Sequence, residues 1–128
     1  MPEYRFDHVH LNSPDPAGTA QFYEKTLGAI KKADRQLPDG RRLIVLSLSD
    51  VNIYVTHPRT QPLAPDIPAN KPGLEHFAVA TDNIEQAVEE LKAQGTEFLT
   101  GITHAGNLKF AFYLAPDKVL IELIERSK

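Results

Sequence analysis

The feature that most constrains the fold of this chain is an internal repeat. Two helical segments are each bracketed by an aspartate and a glycine, at Asp15 and Gly28 and again at Asp82 and Gly95, and the members of each pair are 13 residues apart. Aspartate is a preferred N-cap residue, and glycine readily takes the left-handed conformation that ends a helix. Glu85 follows Asp82 by three residues, as in a capping box. The repeated interval indicates two copies of one supersecondary unit.

The segments around each helix show patterns typical of strands. They are residues 4–12, 30–35 (the weakest pattern), 42–48 and 51–56 in the first half, and residues 75–81, 108–115 and 118–125 in the second half. Apolar residues that alternate or run together between turn signals predict strands. The order strand, helix, strands occurs twice, which predicts an α+β fold of two tandem modules.

A proline-rich segment separates the two halves. Residues 57–73 hold five of the chain's ten prolines, which favours an extended linker over a helix or a strand. The predicted organisation is therefore one domain over residues 1–128, with module one at 1–56, the linker at 57–73 and module two at 74–128. Such a linker can return the second module to the first or pass it to a neighbouring chain, and we expect a homodimer.

Composition excludes several classes of function. The chain has 41% apolar residues, a net charge of −3, no long basic block and no apolar run of about 18 residues, so we expect neither nucleic acid nor membrane as a partner. The N-terminus lacks the apolar core of a signal peptide, and a cytoplasmic location is expected. Because the chain has no cysteine, any bound metal must use nitrogen and oxygen ligands.

Two histidines and one glutamate occupy positions that suit metal ligands. His8 and Tyr54 are 46 residues apart, and His76 and Glu122 have the same separation. Glu122 interrupts the apolar strand 119–124, where a buried carboxylate requires a partner: a metal ion, or an arginine, a tyrosine or the backbone. A single strand histidine is more often structural than a ligand. Here two histidines occupy equivalent places in the repeat and a carboxylate lies in an apolar strand. This combination predicts a divalent metal site made by His8, His76 and Glu122.

Four segments of this sequence resemble the vicinal oxygen chelate superfamily. They are residues 8–11 (HVHL), 22–25 (FYEK), 74–79 (LEHFAV) and 116–123 (PDKVLIEL). The superfamily includes glyoxalase I, extradiol dioxygenases, methylmalonyl-CoA epimerase, and fosfomycin- and bleomycin-resistance proteins. The resemblance implies paired βαβββ modules whose curved mixed sheets form a cleft around one metal ion. It places the family's ligand positions at His8, Tyr54, His76 and Glu122.

Two positions depart from the glyoxalase I pattern. A carboxylate or glutamine is usual where this chain has Tyr54, and a neutral phenol is a poor ligand because its unperturbed pKa is near 10. Asn12 stands where glyoxalase I carries a glutathione-contacting arginine. The sequence therefore predicts a three-ligand site for one divalent ion (Fe, Mn, Ni, Co or Zn) and weakens the case for lactoylglutathione lyase itself.

Further polar residues alternate along the same strand faces as the predicted ligands. His10 is a candidate general base or a histidine that only forms hydrogen bonds, and Tyr54 is a candidate acid or a group that orients substrate. Glu122 is predicted to serve in catalysis as well as in metal binding. Asn12, Asn52 and Thr56 are predicted to contact substrate.

Three functions remain open at this point. The first is a metal-dependent lyase or isomerase that acts on a small substrate chelating through two adjacent oxygens. The second is an Fe(II) extradiol-type dioxygenase. The third is a resistance protein that sequesters its ligand without metal, which the retention of His8, His76 and Glu122 disfavours.

Overall fold

The structure, a computed structural model, describes residues 2–65 and 71–127 and separates into two compact units. One unit comprises the residues from His76 onward together with those before His8, and the other comprises His8–Glu75. The elements in chain order are β1 (Tyr4–Asn12), α1 (Pro16–Leu27), β2 (Ile30–Gln36), β3 (Arg42–Leu48), β4 (Val51–Thr56), β5 (Gly73–Thr81), α2 (Ile84–Ala93), β6 (Glu97–Phe98), β7 (Thr103–Ala105), β8 (Leu108–Ala115), a 3₁₀ turn (Pro116–Lys118) and β9 (Val119–Arg126). The predicted α+β class is confirmed.

The His8–Glu75 unit is a mixed sheet with one helix on one of its faces. β1 pairs in parallel with β4, β4 pairs antiparallel with β3, and β3 pairs antiparallel with β2. Ala20 of α1 packs in a buried cluster with Ile44, Leu46 and Val55 of β3 and β4. Because strand side chains alternate, Tyr54 and Thr56 point to the face opposite α1.

The unit that contains His76 has the same plan. β5 pairs in parallel with β9, β9 pairs antiparallel with β8, and the short strands β6 and β7 both pair with β8. Ile84 and Ala87 of α2 pack against Leu123 of β9. Glu122, adjacent to Leu123 on the strand, therefore points to the face opposite α2.

The two units share one strand register. His10 of β1 lies beside Tyr54 of β4, and Ala78 of β5 lies beside Glu122 of β9. In each unit the histidine two residues earlier shares the face of that pair. The duplication expected from the spacing of residues is therefore present in the backbone pairing.

The caps of α1 agree with the sequence prediction. An Asp15 carboxylate oxygen accepts a hydrogen bond from the Gly18 backbone N–H at 3.1 Å. Pro16 occupies the first helical position, where a missing N–H costs nothing. Gly28 ends the helix with φ of 72°, a left-handed conformation that favours glycine.

The predicted cap of α2 is wrong by one residue. Asn83, not Asp82, caps the helix, and its side-chain oxygen accepts from the Gln86 N–H at 3.1 Å. The Asp82 carboxylate instead accepts from the Glu3 N–H. Because Asp82 is not the N-cap residue, the predicted capping box of Asp82 with Glu85 is not formed, and Glu85 accepts a hydrogen bond from Lys109. Two adjacent residues of similar capping ability compete here, and a contact distant in sequence decides between them.

The strands agree with the sequence prediction except in the second half. The weak pattern at 30–35 is a strand, whereas β6 and β7 were not predicted because two or three residues are too few to show a period. Residues 66–70 of the predicted linker lie outside the described residues. The predicted module boundaries stay a prediction. Within the described part of the chain, no helix has the length and apolar character needed to cross a membrane.

Candidate functional site

The buried His76 and the half-buried Glu122 form a pair on the sheet face opposite α2. His76 lies on β5 and Glu122 on β9, with 1% and 13% of their side chains exposed. The His76 Nε2 atom is 3.2 Å from the Glu122 carboxylate oxygen Oε1. The neighbouring strand β8 contributes Phe112, whose ring meets the His76 imidazole edge to face at 5.3 Å. The polar pair is thus held in place beside an apolar wall.

The spacing of this pair fits two ligands of one metal ion. Imidazole nitrogens and carboxylate oxygens bind first-row divalent ions at about 2.0–2.2 Å. Two such atoms at adjacent coordination positions therefore lie roughly 3–3.4 Å apart. The observed 3.2 Å between Nε2 of His76 and Oε1 of Glu122 falls within that range. Burial also suits this role, because it removes water that competes for the metal.

His8 and Tyr54 form the corresponding pair in the other unit, but their contact is different. The two rings are stacked with centroids 3.7 Å apart and planes 4° from parallel. The His8 side chain is 1% exposed. Stacking on the phenol restricts rotation of the imidazole, since any large change in its plane would collide with the ring below.

The stacked geometry bears on whether Tyr54 is a metal ligand. A metal held by an imidazole nitrogen lies in the plane of the imidazole ring. The phenol oxygen of Tyr54 lies in a parallel plane, and the 3.7 Å separation of the rings exceeds a bonding distance of about 2.0–2.2 Å. The stacked arrangement therefore disfavours Tyr54 as a ligand of an ion bound to His8.

His10 is also on the face opposite α1, where it contacts Thr56. The His10 Nε2 atom is 2.8 Å from the Thr56 hydroxyl oxygen, and both residues are buried. Leu43 of β3 pairs with Thr56 from the other side, so an apolar side chain flanks this hydrogen bond. A hydroxyl at this distance fixes the orientation of the imidazole, which is what a group that gives or takes a proton requires.

The remaining predicted substrate contacts differ in burial. Asn12 is buried and donates two hydrogen bonds from its side-chain nitrogen, to the Glu75 carboxylate at 2.7 Å and to the Lys71 carbonyl at 3.1 Å. Asn52 shares the strand face of Tyr54, yet it is exposed near the start of β4. Thr56 is buried at the end of the same strand.

Sequence reasoning missed Glu75 and Arg59. The Glu75 carboxylate accepts from Arg59 at 3.1 and 3.3 Å through one oxygen and from Asn12 through the other. The available signal was the same one that identified Glu122, a single carboxylate in an otherwise apolar strand segment.

The structure therefore gathers the predicted residues into two sets. The set in the His8–Glu75 unit consists of His8, His10, Asn12, Tyr54 and Thr56. The set in the unit that contains His76 consists of His76 and Glu122.

Comparison with known proteins adds a family and a fold. The model of the Glyoxalase/Bleomycin resistance protein/Dioxygenase superfamily matches residues 5–123. Human mitochondrial methylmalonyl-CoA epimerase is 32% identical over 127 residues, covering 93% of this chain and 72% of that protein. Lactoylglutathione lyase of Schizosaccharomyces pombe is 27% identical over 139 residues, covering 96% of this chain and 45% of that protein.

Solved structures agree in fold. A hypothetical protein from Bacillus halodurans C-125 aligns with a TM-score of 0.79 at 21% identity, over 98% of this chain and 96% of that chain. Methylmalonyl-CoA epimerase from Mycobacterium tuberculosis aligns with a TM-score of 0.75 at 23% identity, over 96% of this chain and 88% of that chain. At these identities the likeness shows the fold alone.

Proposed function

Because the chain belongs to the Glyoxalase/Bleomycin resistance protein/Dioxygenase superfamily, we propose that it is a metal-dependent isomerase or lyase. Its substrate is a small molecule that presents two vicinal oxygen atoms to the metal. Relatives whose names describe an epimerase and a lyase support this reaction class over dioxygen chemistry. Because Tyr54 and Asn12 depart from the glyoxalase I pattern, the substrate is expected to differ from that of lactoylglutathione lyase.

The observation that carries the proposal is the 3.2 Å approach of His76 Nε2 to Glu122 Oε1 in a partly buried setting. These two atoms would hold one divalent ion of iron, manganese, nickel, cobalt or zinc. His8 is proposed as the third ligand on the strength of its equivalent place in the repeat. Two imidazoles and one carboxylate are a common ligand set for such ions.

The bound ion would act as a Lewis acid that polarises substrate oxygen and stabilises the negative charge developing on it. The residues of the chain supply the rest of the reaction. The His10 imidazole is the proposed group that takes a proton from the substrate carbon and returns it, and the hydrogen bond between its Nε2 atom and the Thr56 hydroxyl would orient the ring for that role. Glu122 would neutralise part of the metal charge, and Tyr54 would keep His8 in position by stacking.

The decisive test is elemental analysis of protein purified without chelator, with His76→Ala and Glu122→Ala beside the wild type. We expect about one divalent ion per chain in the wild type and loss of that ion in both variants. His104→Ala is a matched control, since His104 is exposed on β7. Full occupancy in the His76 and Glu122 variants would reject the ligand assignment.

Two other outcomes would reject the reaction class. No metal after incubation with each candidate ion would favour a protein that sequesters a ligand. Iron as the retained ion, together with oxygen uptake in the presence of catechols, would favour an extradiol-type dioxygenase. The homodimer stays a prediction, and light scattering coupled to size-exclusion chromatography would test it.

A further inference from the structure

The Phe112 side chain packs directly on the His76 imidazole. The two ring centroids are 5.3 Å apart and the ring planes are 87° from parallel. Both residues are buried. Because protein interiors are closely packed, a large rotation of the imidazole would bring it into the phenyl ring or open a void beside it. The phenyl ring therefore restricts the orientation of His76.

The strand register places Phe112 beside Glu122 as well. Phe112 of β8 is the cross-strand partner of Glu122 of β9. The Phe112 N–H donates to the Thr100 hydroxyl oxygen at 3.0 Å, and the Phe112 C=O accepts from the Leu99 N–H at 2.9 Å, so both groups point away from β9. Phe112 and Glu122 are therefore a non-hydrogen-bonded pair of the antiparallel ladder, the type in which opposite side chains lie closer together. Their side chains are neighbours on one face of the sheet.

The Thr100 side chain takes part in holding Phe112 at this place. Phe98 of β6 pairs with Tyr113, so continuing that ladder would put the Leu99 backbone opposite Phe112. The Leu99 N–H keeps this role, whereas the Phe112 N–H donates to a side-chain hydroxyl in place of a backbone carbonyl. The placement of Phe112 therefore depends on the Thr100 hydroxyl.

We propose that Phe112 is a positioning residue that keeps the His76 imidazole and the Glu122 carboxylate in the relative orientation that one metal ion requires. Thr100 acts through Phe112 and belongs to the same arrangement. The inference rests on the proposed function only for the ion, since the orientation of the pair exists without it. A side chain that is already ordered loses less conformational freedom when it binds, so the affinity for the ion is higher.

The orientation of His76 can be measured by NMR on metal-free protein. The three-bond couplings from the His76 Cγ atom to its backbone nitrogen and carbonyl carbon report the rotamer about the Cα–Cβ bond. We expect the wild type to show the values of a single rotamer. Phe112→Leu keeps an apolar side chain but removes the ring, and its couplings should be averaged over several rotamers. Thr100→Val keeps the side-chain shape but removes the acceptor, and should shift the couplings in the same direction.

The consequence for metal binding can be measured by calorimetric titration with Zn²⁺. The Kd should rise about two- to twelve-fold in Phe112→Leu, which is the usual cost of ordering one side chain on binding. The Kd should rise by a smaller factor in Thr100→Val, because the ring is still present and only its support is weakened.

Phe98→Leu and Thr103→Val are the matched controls. Phe98 has a comparable ring contact, 5.2 Å from Tyr113, but it packs in the cluster on the α2 side. Thr103 is exposed on β7. Both controls should leave the His76 couplings and the Kd for Zn²⁺ unchanged, although Phe98→Leu should lower the urea midpoint, as Phe112→Leu should. A general loss of stability is thereby separated from a loss of positioning.

The inference would be overturned if the His76 couplings of Phe112→Leu matched those of the wild type, or if Phe98→Leu changed them equally. Should Phe112→Leu fail to fold, unchanged couplings in Thr100→Val would reject the inference. If the wild type bound no metal while its couplings responded to both substitutions, the proposed function would be rejected and the positioning role supported. Metal binding with couplings and Kd unaffected by either substitution would support the proposed function and reject the positioning role.

Discussion

The His8 imidazole lies flat on the Tyr54 phenol ring, with centroids 3.7 Å apart and planes 4° from parallel. The equivalent pair of the other unit, His76 and Glu122, instead brings a ring nitrogen to 3.2 Å from a carboxylate oxygen. Both pairs span 46 residues and occupy the same strand register. The duplicated position thus holds a stacked pair of rings in one unit and an imidazole–carboxylate pair in the other.

Tyr54→Phe should leave metal affinity within about three-fold of wild type, because the stacked ring remains and only a hydroxyl is lost. Tyr54→Leu removes the aromatic pair, which typically contributes about 0.5–1.5 kcal/mol, and should weaken metal binding about two- to twelve-fold. Titration with a divalent ion followed by calorimetry measures both variants. Tyr23→Phe, on the α1 side, is the matched control. A large loss of affinity in Tyr54→Phe would identify the phenol oxygen as a ligand.

Glu122→Gln should separate metal binding from folding. The substitution preserves the shape of this half-buried side chain, so the metal-free variant should be as stable as wild type to within about 1 kcal/mol. At a metal concentration 100 times its Kd, the free energy of unfolding of the wild type should rise by about 2.7 kcal/mol. The free energy of unfolding of the variant should rise little at that concentration. Urea unfolding with and without metal measures this, and Glu97→Gln on exposed β6 is the control. Equal metal-dependent gains in wild type and Glu122→Gln would exclude Glu122 as a ligand.

Asn83→Ala should destabilise the protein by about 1 kcal/mol, the usual cost of losing a side-chain N-cap. The reason is the hydrogen bond from the Gln86 N–H to the Asn83 side chain, which alanine cannot accept. Asp82→Ala should reduce the free energy of unfolding by less, because the exposed hydrogen bond from the Glu3 N–H to the Asp82 carboxylate caps no helix. Chemical denaturation of the two variants provides the comparison. The reverse order of stabilities would show that Asp82 is the functional cap.

Asp34→Asn should reduce stability at neutral pH but not at acidic pH. Asp34 on β2 accepts two hydrogen bonds from Arg42, at 2.8 and 2.6 Å, and the Arg42 guanidinium lowers the pKa of this carboxyl. A lowered folded-state pKa stabilises the fold above the unfolded value of about 3.9, and this contribution disappears as the pH falls through the folded-state pKa.

The difference in urea midpoint between wild type and Asp34→Asn should therefore shrink as the pH is lowered from about 6 to about 3. Asp50→Asn changes an exposed aspartate in the turn after β3 and serves as the control. If the difference in urea midpoint between wild type and Asp34→Asn stayed constant over this pH range, the ion pair with Arg42 would not contribute to the stability of the fold.

The sequence was sufficient to predict those structural features that depend only on residues close to one another along the chain. The caps at Asp15 and Gly28, the strand faces and the duplicated interval follow from periods of 3.6 and 2 residues and from the preferences of single residues. Glu122 was identifiable for a similar reason, because a lone carboxylate in an apolar strand stands out from its immediate neighbours. Where two local signals were nearly equal, as at Asp82 and Asn83, the sequence did not decide between them.

By itself, then, the sequence determined the α+β class, the repeat and the residue types available for a metal. Only the tertiary structure decided that Tyr54 lies flat on His8 and that the Asn12 carboxamide donates a hydrogen bond to Glu75. Those contacts join side chains 46 and 63 residues apart, and their distances and ring angles arise from the pairing and packing of strands. Local periodicity fixes which face a side chain occupies, whereas the atom that it meets there depends on how the whole sheet brings distant strands together.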